Sequence, residues 1–547
     1  MPMCIILQPS ADCQQLSLIP AALFDLLVVG SGITGTGVAR EAALRGLSVA
    51  LVDRADIASG TSSRSSRLVH GGVRYLEHGH VRMVFESSRE RRTLLRIAPH
   101  LVRPLAFTWP VYRGARLPRW KVTAGLALYD ALALFRNVGR HERLNARRLL
   151  EREPALLETG LTGGTGYWDA STDDSRLTLA NALSAAEHGA EVASYTKVVA
   201  LLREGSRVVG ARVRDTLLGA EREIRARLTV SAVGPWTDSL LRLEDPDSPP
   251  LVRGTRGAHL LLPRERVGNS GALTLLAPQD GRVVFILPAG TFTLVGTTDT
   301  PTDVPPESVR ATSGDVSYLL GVVRHFMPAS TVDTGDVVSA WAGIRPLAAA
   351  GYDDGPSSAS REHRIDNRTP GLLVVTGGKL TTYRSMATEI VDAAANALHM
   401  SLPASGTDAL PLPGGDGDMT IVRSEAAATI GNPEVTVRLT SAHGTGWRTV
   451  WQLVQDEPAL GEPIARPLPY IRAEVVHAVR SEWARTLADV LVRRVPVAFE
   501  TPDHGRDAAR SIVMLMAREL VWDDVRCRVE LERYDADVAN LFSIDAT

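Results

Sequence analysis

Leu26–Arg54 reads LLVVGSGITGTGVAREAALRGLSVALVDR, and its pattern decides the fold. The apolar run Leu26–Val29 meets a glycine turn at Gly30–Gly35, Val38–Leu44 has helical character, and Val49–Val52 is apolar again. Strand, turn, helix and strand in that order make a βαβ unit. In GSGITG, Gly30 permits the tight turn off the strand, Gly32 lets a diphosphate approach the backbone, and Gly35 allows close helix–strand packing. The amino end of the helix then faces the phosphates. Asp53 closes the second strand, 23 residues after Gly30, where a carboxylate can accept hydrogen bonds from an adenosine ribose. A lone glycine fingerprint is often only a turn, but here the strand before it and the helix after it point to a dinucleotide site. It does not separate NAD from FAD.

The loop that follows, Thr61–His78, reads TSSRSSRLVHGGVRYLEH. Hydroxyls at Thr61, Ser62, Ser63, Ser65 and Ser66 can donate to phosphate or ribityl oxygens, and Gly71 and Gly72 would let backbone approach an isoalloxazine ring. A serine-rich segment is ordinarily a flexible surface loop. The embedded Arg64, Arg67, His70, Arg74 and Tyr75 argue for a site instead. Two more segments suit it: SAVGPW at Ser231–Trp236, with Gly234 ending a strand, and TGGKLTTYRSMA at Thr376–Ala387, a glycine turn entering a helix. That second helix can aim its positive end at the flavin region where negative charge gathers on reduction.

The chain has 547 residues, too many for one core, so several domains are expected. Hydrophobic residues make up 44% and charged residues 22%, an ordinary soluble composition. The 60 Lys+Arg nearly cancel the 62 Asp+Glu, which leaves no global field to attract nucleic acid. Cys4, Cys13 and Cys527 form no CxxC pair, so a reducing compartment is the simpler reading and no metal site is expected. Residues 1–22 read as an N-terminal extension: no basic residue precedes their apolar stretches and Pro9 and Pro20 interrupt them, which argues against a cleaved signal. No apolar run reaches the roughly 18–20 residues needed to span a bilayer. Residues 23–400 read as a discontinuous cofactor- and substrate-binding region, strand-rich between about residues 190 and 300. Pro403–Gly417, rich in Pro, Gly and Asp, reads as a linker to a helical domain over 401–547, with Tyr470–Arg493 and Arg506–Arg533 its longest periodic segments. The fold class is α/β, a Rossmann-like dinucleotide domain with a strand-rich substrate region and a helical C-terminal domain.

Taken together, GSGITG, TSSRSSRLVHGGVRYLEH, APHLVRP, TGYWDAST, GPW, RGAHLLLP, LVGTTDT, WAGIRPL, SREHRI and TGGKLTTYR, in this order between about Asp25 and Arg384, resemble the flavin-dependent glycerol-3-phosphate dehydrogenases. These belong to the wider D-amino-acid-oxidase-like flavoproteins. The resemblance implies FAD, sn-glycerol 3-phosphate as substrate, dihydroxyacetone phosphate as product and a quinone as acceptor. It also implies a cytoplasmic enzyme, peripheral on the inner face of the membrane, and admits a homodimer. Among cofactor positions it adds Val198, Gly378, Lys379, Leu380 and Thr381 to those named above. Asp53 stands where Glu is more familiar, and Arg67 where Lys is common.

A phosphate dianion needs cationic anchors, and the planar fork of Arg suits its oxygens. Arg74, Arg345, Arg361 and Lys379 supply four charges, although an Arg is more often a structural ion-pair partner. Arg345 leads, because an Arg before Pro after an apolar strand-like run is held close to rigid backbone. His259, just before the strand Leu260–Leu262, can accept the hydroxyl proton of the substrate. Tyr75 and Lys379 compete for that role. Thr297–Asp299 read only as a polar turn. An oxidase that reduces O₂ and a flavin-binding regulator without turnover are the rival functions.

One stretch leaves two readings. Arg113, Arg116, Arg119 and Lys121 precede Val122–Phe135, which is apolar but too short to span. With Trp120 at its edge it suits a membrane interface, and Asp130 gives it a polar position that fits this reading. It suits a buried core helix with a basic cap equally well.

Overall fold

The structure, a computed structural model, describes residues 22–73, 76, 80–133, 138–349 and 363–546. The strand Leu23–Val29 pairs in parallel with Glu221–Ser231 on one side and Val49–Val52 on the other. Leu26, Leu27 and Val28 have no exposed surface, as a strand covered on both faces requires. Parallel pairing continues outward to Leu372–Thr376 and to Glu191–Ala193. The first strand is therefore central, and strand order reverses beside it, which is where open α/β sheets bind ligands. An antiparallel edge strand, Arg364–Asp366, and the hairpin Thr196–Glu204/Arg207–Asp215 complete the sheet. Helices Ile33–Leu44 and Tyr383–Leu398 bury Val38, Ala42, Ile390 and Val391 against one face.

A second sheet has ten strands. Its strand Val252–Pro263 pairs antiparallel with Phe292–Gly296 and Ser339–Ala348. Sequence reading finds only Leu260–Leu262 here, because Arg253–Gly257, reading RGTRG, has no large apolar residue to mark the alternation. Helix Ser313–Phe326, which opens on a Thr312/Asp315 capping box, packs Leu319 and Val323 onto Leu260 and Leu262.

The C-terminal region is helical, with its two longest periodic segments each broken. Tyr470–Arg493 divides into helix Arg472–Ser481 and a π-helical turn, Asp489–Arg494, with Trp483 left-handed between them. Arg506–Arg533 divides at Val521, also left-handed, before Asp523 caps the helix Asp524–Phe542 by accepting from the Arg526 N–H. These helices share one apolar cluster with the second sheet, in which Phe107 and Trp341 join Phe499 and Leu491. The linker is strapped down: Glu41 accepts from Thr407, and Arg40 and Arg45 donate to the carbonyls of Leu410 and Pro403.

The basic-apolar stretch forms helix Arg119–Leu132; Phe135 lies outside the described residues. It is two-faced. Val122, Leu126 and Tyr129 are buried, whereas Trp120 is 73% and Leu128 45% exposed. Asp130 corrects the sequence reading: it faces inward, accepting from the backbone N–H of His141 at 2.8 Å and pairing with its Nδ1 at 2.7 Å. It gives the outer face no polarity.

The buried pair Arg384–Glu90 ties helix Tyr383–Leu398 to helix Val81–Ile97 through two bonds of 2.6 and 2.7 Å. Arg384→Met leaves Glu90 buried and unpaired, which should cost about 3–5 kcal/mol in urea denaturation, while Glu90→Gln/Arg384→Met should regain most of it.

Candidate active site

One cavity of about 660 Å³ runs between the two sheets, within the range of small-molecule sites. Of the residues picked out by sequence, Gly30, Gly32, Asp53, Thr61, Ser62, Ser66, His70, Val198, Gly234, His259, Arg345, Gly378, Lys379, Leu380 and Thr381 all line it. Arg74, Tyr75 and Arg361 lie outside the described residues. Gly35 and Gly71 do not line the cavity. Gly35 instead sets the turn, since a Cβ there would collide with the Gly30 carbonyl. At Gly71 the N–H donates to Tyr129 Oη at 2.8 Å and Asp169 Oδ1 at 3.1 Å, and Tyr129 fills the space a Cβ would need. Its smallness is required by the packing of Tyr129.

At one end, Asp53 is anchored before any ribose reaches it. Its Oδ2 accepts from Ser31 N–H at 2.6 Å and Ser31 Oγ at 3.0 Å, and its Oδ1 from Ala55 N–H. Burial raises its pKa, against the pull of those hydrogen bonds. Trp236 lines the same cavity, with the Arg54 guanidinium 4.3 Å from its ring and its indole N–H donating to Glu307. Sequence reading picked out neither as a site residue, since both are made by partners distant in the chain.

Three contacts join the serine-rich loop to the rest of the cavity. Thr61 donates to the Ile344 carbonyl at 2.8 Å, Ser66 Oγ lies 2.8 Å from His259 Nε2, and Thr381 Oγ1 bonds both the N–H and the carbonyl of His70. Ser63 and Ser65 do not act as expected: Ser63 bonds its own turn at Gly60, and Ser65 donates to buried Asp174.

His259 is 2% exposed, stacked on Trp341 with ring centroids 5.6 Å apart. Burial, reinforced by Arg345 and Arg67, pushes its pKa down to about 3, so the ring is neutral at ordinary pH. Its Nδ1 has no hydrogen-bond partner among the described residues. Arg345 is held by the segment that sequence reading left as a polar turn: Nη1 donates to Asp299 Oδ1 at 3.0 Å, and Nη2 to Thr297 Oγ1 and the Thr298 carbonyl. The turn is the clamp of the cation.

A dinucleotide cradle opening onto a chamber with a fixed cation and a neutral histidine is the arrangement of a cofactor-dependent oxidoreductase. Residues 25–389 match the family described as FAD dependent oxidoreductase, and residues 405–527 the C-terminal domain of alpha-glycerophosphate oxidase. The mitochondrial glycerol-3-phosphate dehydrogenase of Homo sapiens is 38% identical over 96% of this chain and 74% of its own length. Glycerol-3-phosphate dehydrogenase 2 of Mycobacterium tuberculosis (strain CDC 1551 / Oshkosh) is 38% identical over 94% of this chain and 88% of its own. The structure of the Bacillus halodurans glycerol-3-phosphate dehydrogenase complexed with FAD superposes with a TM-score of 0.80 at 29% identity, covering 96% of this chain and 97% of that one. The chain belongs to the FAD-dependent glycerol-3-phosphate dehydrogenase family, and its cofactor is FAD.

The residues fit that cofactor. Gly32 has ordinary extended backbone, and a Cβ there would meet only Ser62 Oγ, at 3.2 Å. Protein packing leaves room at this position, as a diphosphate approaching the helix start would require. Gly32→Val should accordingly leave the apoprotein folded by circular dichroism while most flavin is lost on purification. Full flavin occupancy in that variant would place the diphosphate elsewhere.

Proposed function

We propose that the chain oxidises sn-glycerol 3-phosphate to dihydroxyacetone phosphate and passes the electrons to a quinone at a membrane surface. The names of its relatives support the substrate. The observation that carries the reading is Arg345, a cavity-lining cation clamped by Asp299 and Thr297 whose charge reaches the neutral His259.

The substrate loses a hydride from C2 and a proton from its hydroxyl. Bound FAD supplies the hydride acceptor. Arg345 offers a planar fork to the phosphate, and Lys379 lines the same cavity; Arg74 and Arg361 are the further anchors implied by the resemblance. His259 is neutral and so can take the hydroxyl proton. Its low proton affinity rises when a dianion arrives beside Arg345, because a nearby negative charge favours the imidazolium. Tyr75 and Lys379 are the other candidates for that proton.

Anaerobic glycerol 3-phosphate should bleach the flavin absorption of the purified holoprotein; an unchanged spectrum would remove this substrate. Arg345→Ala should weaken substrate binding by about 1.5–3 kcal/mol, roughly 10- to 150-fold, with the flavin spectrum unaltered. His259→Ala should slow flavin reduction more than it weakens binding. The match of residues 405–527 to an oxidase domain favours a second reading, reduction of O₂. Peroxide equal to substrate consumed would establish that alternative, and trace peroxide with rapid quinone-analogue reduction the first.

No helix among the described residues is long and apolar enough to cross a membrane. The membrane contact is assigned to the outer face of Arg119–Leu132, where Trp120 and Leu128 are joined by exposed Val81 and Phe85 of the adjacent helix. Arg113, Arg116 and Lys121 are exposed beside them, while Arg119 donates to the Thr162 carbonyl. Converting Arg113, Arg116 and Lys121 to Gln should weaken co-sedimentation with anionic liposomes roughly 100-fold at low salt, from about 1 kcal/mol per basic residue. Undiminished binding would move the contact to another face.

A further inference from the structure

Among the described residues, all those lining the cofactor cavity fall between Val29 and Thr381, and none belongs to the C-terminal helices. They nevertheless grip the segment that shapes its ribose end. Asp56, three residues past Asp53, has no exposed surface. Arg494 holds it with two bonds, Nη1 to Oδ2 at 2.7 Å and Nη2 to Oδ1 at 2.9 Å, and Arg493 Nε adds a third at 2.5 Å.

A second tie meets the first at Ala55. The Ala55 N–H fixes Asp53 Oδ1, and the Ala55 carbonyl accepts from the backbone N–H of Tyr195. Tyr195 Oη donates to Asp489 Oδ1 at 2.5 Å, and the same oxygen accepts from Arg493 at 2.6 Å. Both ties end in the π-helical turn Asp489–Arg494. Consecutive residues of an ordinary α-helix point about 100° apart, yet Arg493 and Arg494 reach one carboxylate. Isolated π turns of this kind recur at functional sites.

We propose that Arg493 and Arg494 are positioning residues for FAD, which through Asp56 and Asp489 hold the loop Asp53–Ser66 in its binding shape and make the C-terminal helices an obligatory part of the cofactor site. The loop's other ties run from Ala58 N–H to the Ser31 carbonyl at 3.2 Å, from Ile33 N–H to Ser62 Oγ, from Ser65 to Asp174, and from Thr61 and Ser66 to the second sheet; the grip on Asp56 is what the C-terminal helices add to them. Arg493 also acts on the cavity-lining Arg64, whose pKa burial and this neighbouring charge push down to about 10. The assignment is independent of the substrate.

A purely structural pair would hold domains together without affecting cofactor affinity. The variant Asp56→Asn/Arg494→Met removes that pair of buried charges together, while Arg493 and Glu482, which each lose a partner, keep Asp489 and Arg176. With the melting temperature of its apoprotein little changed, it should bind FAD at least about tenfold more weakly in fluorescence titration, with an unchanged KM for glycerol 3-phosphate at saturating FAD. Arg494→Lys, which keeps the charge without the two-pronged grip, should fall between. FAD affinity within about twofold of wild type in the double variant would overturn the proposal. The unaltered protein gives a test that needs no variant to fold. Coupling is reciprocal, so adding FAD to the apoprotein should slow amide exchange across residues 485–494. Unchanged exchange there would overturn it equally.

Discussion

The carbonyl of Gly30 occupies the place where a side chain on Gly35 would have to stand. That contact lets the helix Ile33–Leu44 close onto the first strand at backbone distance and aims its amino end into the cavity. Gly30 N–H bonds the Val52 carbonyl at 2.8 Å, and the Ser31–Asp53 contact follows in the next residue pair. The glycine turn and the Asp53 carboxylate are thus placed by one piece of backbone. The loop Thr61–His70 then carries that placement across to the second sheet through Ile344 and His259.

How much of this was legible in the sequence depended on distance along the chain. The glycine turn could be read because each glycine answers a demand made within a few residues. Arg345 could be singled out, but the role of Thr297–Asp299 could not, since it depends on a partner 46–48 residues away. The packing demand at Gly71 is hidden for the same reason, since Tyr129, 58 residues on, makes it. Periodicity ran straight through the breaks at Trp483 and Val521 because hydrophobic patterning carries no signal for a left-handed residue that is not glycine, and β-branched Val is among the least suited to that conformation.

Buried charge, rather than apolar surface alone, registers the C-terminal helices against the FAD region. Arg176 donates to Glu482 at 2.8 Å and to His443 Nδ1 at 3.1 Å. His443, His477 and Glu482 bring their ligand atoms within 4.8 Å of one another, a spacing that could hold a metal ion. The Arg176 guanidinium already supplies the positive charge such a cluster would attract. Burial and Arg176 push His443 down to about 4, which keeps this crowded junction from accumulating further charge. Buried pairs of this kind tolerate few alternative alignments, because sliding the two parts would strand each ion without its partner.

The central position of Leu23–Val29 has a consequence for synthesis. Its parallel neighbours are Val49–Val52, made at once, and Glu221–Ser231, made much later, and the sheet extends to Leu372–Thr376 beyond that. At about 5–20 residues per second, this strand waits on the order of tens of seconds for the last member of its parallel array. Such non-local pairing folds slowly because loop closure must precede any reward. During that interval a strand whose Leu26–Val29 segment is wholly apolar stands without its partners, so the nascent chain is at greatest risk of aggregation while the nucleotide fold is unfinished.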